Sequence, residues 1–226
     1  MTVALVPVKE FATAKARLSP LLSEDERSIL AQAMLEDVLL TLVMVKELDL
    51  VVVVSRDPSA QGLALGLGAE VLTEPPEAVG ESAAVEYAAK QAVQRGADSV
   101  LVVPGDAPLV RAEDIRSLLK AQVQGPCVVA APAHDGGTNG LLLRPPDVIP
   151  CRFGPDSLRL HQGEAQRRGV PFQLVACPSL ELDVDTPEDL ARLLSQAPRG
   201  KGCRRELERW GLTRRLQENA TTGRST

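Results

Sequence analysis

Short, continuous apolar runs constrain the fold of this 226-residue chain more than any other feature of its sequence. Each run is five or six residues long, and the set as a whole lacks the regular polar alternation of half-exposed strands. Such runs are typical of strands that lie inside a parallel sheet with both faces covered. The five runs are Val3–Val8, Leu50–Ser55, Ala69–Thr73, Val100–Pro104 and Cys127–Pro132.

Amphipathic stretches lie between the apolar runs and predict helices. In the clearest, from Glu24 to Glu47, Ser23 and Glu26 form the capping-box pattern that begins a helix. Further helices are predicted at Ala60–Leu67, Ser82–Arg95 and Glu113–Gln122. Strands that alternate with helices predict an α/β fold, with a mostly parallel sheet covered by helices on both faces. Ligands bind at the carboxyl ends of the strands in such sheets, so the loops after the first, fourth and fifth runs form the candidate site.

The second half of the chain is less regular. Beyond residue 195 the content of Pro, Gly and Arg rises and the periodicity weakens. We therefore predict one domain, residues 1–195, followed by a basic, partly ordered tail, residues 196–226, with one short helix. The elements predicted in this half are a strand at Thr138–Leu143, a helix at Ser157–Arg168, a strand at Phe172–Ala176, a helix that Thr186 and Pro187 begin, and the tail helix around Arg204–Gln217.

Composition narrows the classes of function. No apolar segment approaches the roughly 18 residues that span a membrane, and the first run lacks a secretory leader, so we expect a cytoplasmic protein without membrane association. One Trp, one Tyr and three Phe leave little for stacking on a nucleic acid, and we expect no nucleic-acid binding. The four cysteines are far apart and form no metal or disulfide pattern, which predicts buried thiols. The oligomeric state stays open, with a homodimer as the candidate.

Net charge is unevenly distributed along the chain. The whole chain carries −5. Residues 196–226 hold eight Lys or Arg against three Glu, a charge of +5, so residues 1–195 carry −10. An acidic body that handles anionic substrates needs its positive potential concentrated locally or supplied by metal ions.

Three aspartates follow apolar segments at two distant places. Asp106 comes just after the run that ends at Pro104, and Asp183 and Asp185 alternate along an extended segment, so both carboxylates can face the same side. A carboxylate at the mouth of an apolar strand is costly to desolvate and normally finds a cation or backbone amides. Magnesium bridging phosphates is one interpretation. A turn residue at Asp106 and a helix-start residue at Asp185 are the alternatives.

Basic side chains follow the first strand. Lys9, Lys15 and Arg17 lie in a loop without a Gly-x-Gly-x-x-Gly or Walker pattern, so side-chain charge rather than a glycine-rich loop would hold phosphates. The alternative is a solvated basic turn. The position of the loop at the carboxyl end of a strand favours phosphate binding.

Two further loops offer groups that bind anions. Asp135–Gly140 supplies flexible backbone amides and the Thr138 hydroxyl. The loop Phe153-Gly154-Pro155-Asp156-Ser157 precedes a helix that Ser157 can cap. Each loop alone fits an ordinary glycine-rich turn. Together with the acidic cluster they indicate a site for an anionic substrate.

Five segments stand in a fixed order along the chain: Leu5–Lys9 with Lys15–Leu18, Val102–Leu109, Asp135–Leu143, Phe153–Ser157 and Leu182–Asp185. In that order they resemble the 2-phospho-L-lactate/phosphoenolpyruvate guanylyltransferases of coenzyme F-420 biosynthesis, which are relatives of the molybdenum cofactor nucleotidyltransferases. The resemblance spans about residues 3–195. It implies a single Rossmann-like domain of the nucleotide-diphospho-sugar-transferase type.

The resemblance also implies roles for the candidate residues. The implied reaction transfers GMP from GTP to phosphoenolpyruvate or 2-phospho-L-lactate and releases pyrophosphate, with magnesium as cofactor. GTP and a three-carbon phosphoacid are the implied partners. One departure from the family lies near Gly80–Ala84, where a Leu-Asn pair that helps to place the nucleotide is replaced. The matches are Asp106, Asp183 and Asp185 to the magnesium ligands, Thr138, Gly154 and Ser157 to the contacts with the phosphorylated acid, and Lys9, Lys15 and Arg17 to the loop that faces GTP.

Other functions fit the same architecture. One is another nucleotidyltransferase of the molybdenum cofactor type, and a second is a metal-dependent glycosyltransferase, which would release no pyrophosphate. A non-catalytic nucleotide sensor or scaffold is the third. Three metal carboxylates exceed what binding alone requires, which favours an enzyme. Phosphoenolpyruvate is the first expected acceptor, with 2-phospho-L-lactate and 3-phosphoglycerate as alternatives.

Overall fold

The apolar runs form strands as predicted. The computed structural model describes residues 1–222, which contain seven strands and eight α-helices. The strands are β1 (Thr2–Pro7), β2 (Leu50–Val54), β3 (Glu70–Leu72), β4 (Ser99–Val102), β5 (Cys127–Pro132), β6 (Thr138–Arg144) and β7 (Phe172–Leu174). The helices are α1 (Glu24–Leu42), α2 (Pro58–Gly66), α3 (Glu81–Gln94), α4 (Ala112–Lys120), α5 (Ser157–Arg167), α6 (Pro187–Gln196), α7 (Gly202–Arg209) and α8 (Leu212–Thr222).

All seven strands belong to one mixed sheet in the order β3-β2-β1-β4-β6-β5-β7. β1 pairs in parallel with β2 and β4, and β5 pairs in parallel with β7. β6 is antiparallel to both of its neighbours, β4 and β5. The predicted mostly parallel sheet is therefore confirmed, and the reversed strand is an addition that the apolar pattern does not reveal.

Alternate residues of each strand enter separate cores on the two faces of the sheet. In β1, Ala4 and Val6 pack into a core shared with α1, α2 and α4, whereas Val3 and Leu5 pack into a core shared with α3 and α5. A strand that is buried on both faces needs no polar alternation, which explains the continuous apolar runs. The four cysteines are free and buried, as predicted.

The helix starts follow the predicted capping chemistry. Ser23 and Glu26 form a complete capping box at α1, and Thr186 and Asp189 form one at α6, where Pro187 is the first helical residue. α1 ends at Leu42, earlier than the predicted Glu47. Among residues 1–222, no helix combines the length and the apolar character that a membrane span needs.

Two helices, α7 and α8, occupy the segment in which the sequence predicts one short helix. Their apolar side chains Cys203, Leu207 and Leu212 are buried in a third core with residues of α1 and α6. Arg215 of α8 forms two hydrogen bonds, 2.8 and 2.9 Å long, to the carboxylate of Glu26. The basic segment thus packs near the acidic first turn of α1, which holds Glu24, Asp25 and Glu26.

Asp37, in the middle of α1, caps the start of α7 from outside that helix. Its two carboxylate oxygens accept the backbone N–H groups of Gly202 and Cys203, at 2.9 and 3.0 Å. The first N–H groups of a helix have no partner within the helix, and here a side chain from another helix supplies one. Asp37 is only 4% exposed, so water cannot replace it readily.

We expect Asp37→Ala to lower the free energy of unfolding by about 2–3 kcal/mol, because it leaves two buried N–H groups without a charged acceptor. Asp49→Ala is the matched control, since exposed Asp49 accepts one backbone N–H, from Thr2. We expect that control to cost at most about 1 kcal/mol. Urea titration of both variants measures the difference, and equal losses would contradict the capping role of Asp37.

Candidate active site

The candidate loops meet at one edge of the sheet. The loops after β1, β4 and β5 leave the carboxyl ends of parallel strands. β6 runs the other way, so its first residues start at this same edge, where Thr138 pairs with Pro132 at the end of β5. The reversed strand therefore adds the side chains of Thr138 and Asn139 to a site otherwise made of loops.

Lys15 joins the two distant carboxylate segments. Its Nζ donates to Asp106 Oδ2 at 2.5 Å and to Asp185 Oδ1 at 2.7 Å. The backbone N–H of Val184 also donates to the Asp106 carbonyl at 3.1 Å, which ties the two segments together. The side chain of Lys15 is 7% exposed. Asp106 and Asp185, 79 positions apart in the sequence, thus contact one ammonium group, which belongs to Lys15 and is not the predicted magnesium ion.

These contacts determine the charge states of Lys15 and Asp185. Burial opposes the charged form of Lys15, but Asp106 and Asp185 outweigh it and raise the pKa of Lys15 above its ordinary value. Burial likewise opposes the charge of Asp185, but Lys15 holds the pKa of that carboxyl below its ordinary value. Lys15 and Asp185 are therefore both charged at neutral pH.

Close packing positions the loop that carries Asp106. A Cβ on Gly105 would lie 3.1 Å from Val8 Cγ2 and 3.2 Å from Leu35 Cδ1. A larger residue would have to move these side chains, which lie on the β1 loop and on α1. Glycine at position 105 therefore allows this loop to pack against the β1 loop and α1, and Asp106 can then contact Lys15.

Asp183 lies in a different environment from Asp185. Asn139 Nδ2 donates to Asp183 Oδ1 at 3.0 Å and to the Leu180 carbonyl at 2.8 Å. Burial and the nearby charge of Asp106 raise the pKa of Asp183, although the Asn139 hydrogen bond opposes that shift. Two carboxylates close together repel each other, and an additional cation would stabilise the charged form of both.

Glu81 is a fourth carboxyl at the site, and the sequence pattern gives no sign of it. Burial raises its pKa to about 7, and the charges of Asp106 and Asp183 add to the effect while Lys9 and Lys15 oppose it. Glu81 is the first residue of α3. An acidic residue there is ordinary helix-start chemistry, so only the fold reveals that it faces the cluster.

The other two predicted basic residues are exposed. Lys9 and Arg17 both lower the pKa of Asp185 through their charge, after the larger effects of burial and Lys15. An open cavity of about 310 Å³ lies beside the cluster. Its lining is Arg17, His134, Asp135, Asp183, Asp185, Thr186, Glu188, Asp189 and Arg192.

The donor set fits a divalent cation by its chemistry. Asp106, Asp183 and Asp185 supply carboxylate oxygens, the ligands that magnesium prefers. The position of Lys15 between two of them indicates that the pair attracts positive charge. Within residues 1–222, however, no group of three or more His, Cys, Asp or Glu side chains is placed together closely enough to hold a metal ion. The magnesium role of the three aspartates therefore stays a prediction.

The three residues predicted to contact an acceptor acid come together at the start of α5. Ser157 Oγ donates to Thr138 Oγ1 at 3.1 Å, and the Ser157 N–H donates to the Gly154 carbonyl at 3.1 Å. Gly154 has a φ of 118°, which favours glycine. Thr138 and Ser157 are 5% and 1% exposed.

One prediction for this loop is wrong. Ser157 does not cap α5 but is its first helical residue, and Asp156, with a φ of 57°, holds the capping position without a side-chain bond. The Ser157 hydroxyl instead donates to Thr138 Oγ1 at 3.1 Å. Lys15 and Asp156 are the two non-glycine residues of the described chain with positive φ, and both lie in site loops.

His161 lies behind Thr138, and the sequence pattern assigns it no role. It is fully buried on α5, where its Nε2 accepts the Arg152 N–H at 2.9 Å and its Nδ1 lies 3.2 Å from Thr138 Oγ1. Burial lowers its pKa to about 4, with Glu164 opposing and Arg152 adding to the shift. His161 is therefore neutral at pH 7.

Comparisons with known proteins show what the chain is similar to. The chain matches the sequence model of a family described as "Guanylyl transferase CofC like" over residues 2–224. It is 39% identical over 199 residues to a phosphoenolpyruvate guanylyltransferase of Sphaerobacter thermophilus, covering 88% of this chain and 95% of that protein. It is 38% identical over 196 residues to a 2-phospho-L-lactate guanylyltransferase of Methanothermobacter thermautotrophicus, covering 85% and 84%.

Solved structures share the fold. A Desulfovibrio desulfuricans protein proposed to be a nucleotide-diphospho-sugar transferase superposes with a TM-score of 0.74 at 18% identity, covering 96% of this chain and 97% of that one. A nucleotidyl transferase of Methanothermobacter superposes with a TM-score of 0.61 at 17% identity, covering 85% and 95%. The predicted nucleotide-diphospho-sugar-transferase type of fold is confirmed.

Acid should destabilise the protein through His161. The folded state keeps His161 neutral down to about pH 4, whereas the unfolded chain takes up a proton near 6.5. As the pH falls from 6.5 toward 4, the unfolded state binds more protons, and stability is lost by about 1.4 kcal/mol per pH unit. His161→Asn, which does not titrate, should lack this contribution. Urea titrations from pH 7.5 to 5 test it, and a constant stability difference between the two proteins would contradict it.

Proposed function

The chain belongs to the CofC-like guanylyl transferase family, and on that premise we propose that it transfers GMP from GTP to a three-carbon phosphoacid and releases pyrophosphate. Phosphoenolpyruvate is the acceptor that we propose first, because the relatives that carry that name reach 39% and 42% identity. 2-Phospho-L-lactate is the second candidate. The implied pathway is coenzyme F-420 biosynthesis.

One observation supports a phosphoryl-transfer site above the others: Lys15 binds Asp106 and Asp185 at the strand edge where Thr138 and Ser157 also lie. One half of this site holds the ammonium group of Lys15 between the carboxylates of Asp106 and Asp185. The other half holds the uncharged hydroxyl groups of Thr138 and Ser157. A substrate with a phosphate and a carboxylate has one group for each half.

The acceptor needs no protein base. A phosphate monoester has a second pKa of about 6 and is largely dianionic at neutral pH, so its oxygen can attack the α-phosphorus of GTP directly. The two histidines agree with this, because both are engaged in other contacts. His161 is buried between Arg152 and Thr138, and His134 Nδ1 lies 3.0 Å from the Glu181 carbonyl.

The remaining task is to bring two anions together. Lys9, Lys15 and Arg17 supply positive charge that lowers the repulsion between acceptor and GTP. We propose that Asp106, Asp183 and Asp185 hold magnesium, which when bound would neutralise charge on the phosphates of GTP. Its positive charge would also stabilise the charged form of Asp183, whose pKa is raised by burial and by the charge of Asp106.

A product assay tests the function. The protein, GTP and magnesium are incubated with phosphoenolpyruvate, 2-phospho-L-lactate and 3-phosphoglycerate, first separately and then as a mixture. Mass spectrometry should find a GMP-capped acid, with stoichiometric pyrophosphate and a preference for phosphoenolpyruvate in the mixture. Turnover without pyrophosphate would favour a glycosyltransferase, and the absence of any capped acid would contradict the proposal.

We expect Asp106→Asn to lower kcat on the order of 100-fold to 1,000-fold. The substitution keeps the side-chain volume but removes one negative charge from the proposed metal site, and Lys15 loses one of its two carboxylate partners. Asp98→Asn is the matched control, since exposed Asp98 lies just before β4, at the end of the strand away from the site, where it binds the N-terminus. The control should keep kcat within about twofold. Near-normal turnover of the Asp106 variant at saturating magnesium would refute the role of this carboxylate.

Ser157→Ala should weaken the binding of the acceptor more than the binding of GTP. Removal of one hydrogen bond costs about 1 kcal/mol, which is about a fivefold rise in the acceptor KM. The GTP KM should stay within about twofold, because Ser157 contacts Thr138 and not the Lys15 cluster. Steady-state kinetics with each substrate varied in turn measures both constants, and an unchanged acceptor KM would count against the assignment.

A further inference from the structure

His161 contacts the acceptor half of the site without facing the cavity. It is fully buried, it lies on α5 one turn after Ser157, and its ring packs edge-on against Phe153 with ring centres 5.1 Å apart. Its hydrogen bonds run to Arg152 and Thr138. A buried histidine in contact with a substrate-site hydroxyl can determine where the proton of that hydroxyl points.

The contact with Arg152 fixes which ring nitrogen carries the proton. A backbone N–H can only donate, so His161 Nε2, 2.9 Å from the Arg152 nitrogen, must accept and carries no hydrogen. A neutral imidazole then has its hydrogen on Nδ1. Nδ1 lies 3.2 Å from Thr138 Oγ1 and donates to it.

The hydrogen of the Thr138 hydroxyl is therefore free. A hydroxyl accepts two hydrogen bonds and donates one. Thr138 Oγ1 accepts from His161 Nδ1 and from Ser157 Oγ, so both lone pairs are used. Its own hydrogen is left to donate, and no side chain among residues 1–219 accepts it. An anionic oxygen is the strongest partner for such a donor.

Side chains of two helices hold the backbone of residues 151–153, the loop that His161 contacts. Three consecutive amides, those of Cys151, Arg152 and Phe153, donate to Glu86, His161 and Ser82 in turn, at 3.1, 2.9 and 2.9 Å. Glu86 and Ser82 belong to α3, and His161 belongs to α5. The ring and the loop that it binds therefore cannot rotate independently.

We infer that His161 is a positioning residue of the acceptor site, which holds the Thr138 hydroxyl so that its hydrogen points to an anionic oxygen of the phosphoacid. The inference rests on the proposed function. His161 does not touch the substrate. It acts through Thr138, and its effect falls on the acceptor rather than on GTP.

Two variants separate the hydrogen bonds of His161. In His161→Asn the side-chain amide can replace the Nδ1 donor to Thr138 but not the Nε2 acceptor for Arg152. In His161→Gln the longer amide can replace the Nε2 acceptor but not the donor. We expect His161→Gln to raise the acceptor KM about 5- to 10-fold, with the GTP KM unchanged. His161→Asn should stay within about twofold of the wild type for both substrates.

A double variant tests whether the effect passes through Thr138. Thr138→Val removes the hydroxyl at nearly the same volume and should raise the acceptor KM as much as His161→Gln. In the Thr138→Val background, His161→Gln should add nothing. Ser99→Ala is the control for loss of a buried hydroxyl far from the site, where Ser99 contacts Thr2 at 2.9 Å, and it should change neither KM.

The outcomes distinguish this inference from the proposed function. If the wild type makes the GMP-capped acid but the Asn variant is as impaired as the Gln variant, or the two effects add in the double variant, the role of His161 is overturned alone. If GTP and acceptor KM rise together, the role is structural and the inference is again wrong. If the wild type makes no capped acid, the proposed function fails and the inference falls with it.

Discussion

The ion pair of Lys15 with Asp106 and Asp185 is the interaction on which the rest of the site depends. It brings the loops after β1 and β4 and the segment before α6 to one point, at distances of 2.5 and 2.7 Å. Without the cation, two carboxylates would face each other with Asp183 and Glu81 nearby, and their repulsion would open the site. The first 195 residues carry −10, so the proposed binding of phosphates here depends on the local charges of Lys9, Lys15 and Arg17, together with the proposed magnesium.

The reversal of β6 determines how the charged half is connected to the acceptor half. Because the strand begins at this edge, two adjacent residues, Thr138 and Asn139, enter the site from the sheet, with their side chains on opposite faces. Asn139 donates to Asp183, and Thr138 binds Ser157 and His161. A shift of β6 by one residue would exchange the two faces and disconnect both halves at once.

The sequence predicts the strands and the capped starts of α1 and α6, because apolar periodicity and capping are local patterns. It does not reveal the direction of β6, since a short apolar strand reads the same in either direction. Glu81 looks like a helix-start acid, and His161 looks like one residue of an amphipathic helix. Their roles depend on neighbours 25 and 23 positions away, Asp106 and Thr138, which only the packed fold brings near. The same holds for α7, whose start is capped by Asp37, 165 positions earlier.

The division of the site into two halves explains how one phosphoacid could be oriented for attack. A phosphate and a carboxylate on a three-carbon acid are both anionic, so charge alone would let either one enter the half that contains Lys15. We propose that the acceptor half distinguishes them, because Thr138 is an uncharged, nearly buried hydroxyl donor, which can pair with a carboxylate but offers no counter-charge to a dianion. A neutral His161 adds to this discrimination, since an imidazolium there would attract the phosphate to the wrong half. On the proposed function, the lowered pKa of His161 would therefore serve orientation as well as hydrogen bonding, and it would keep the nucleophilic phosphate beside Lys15.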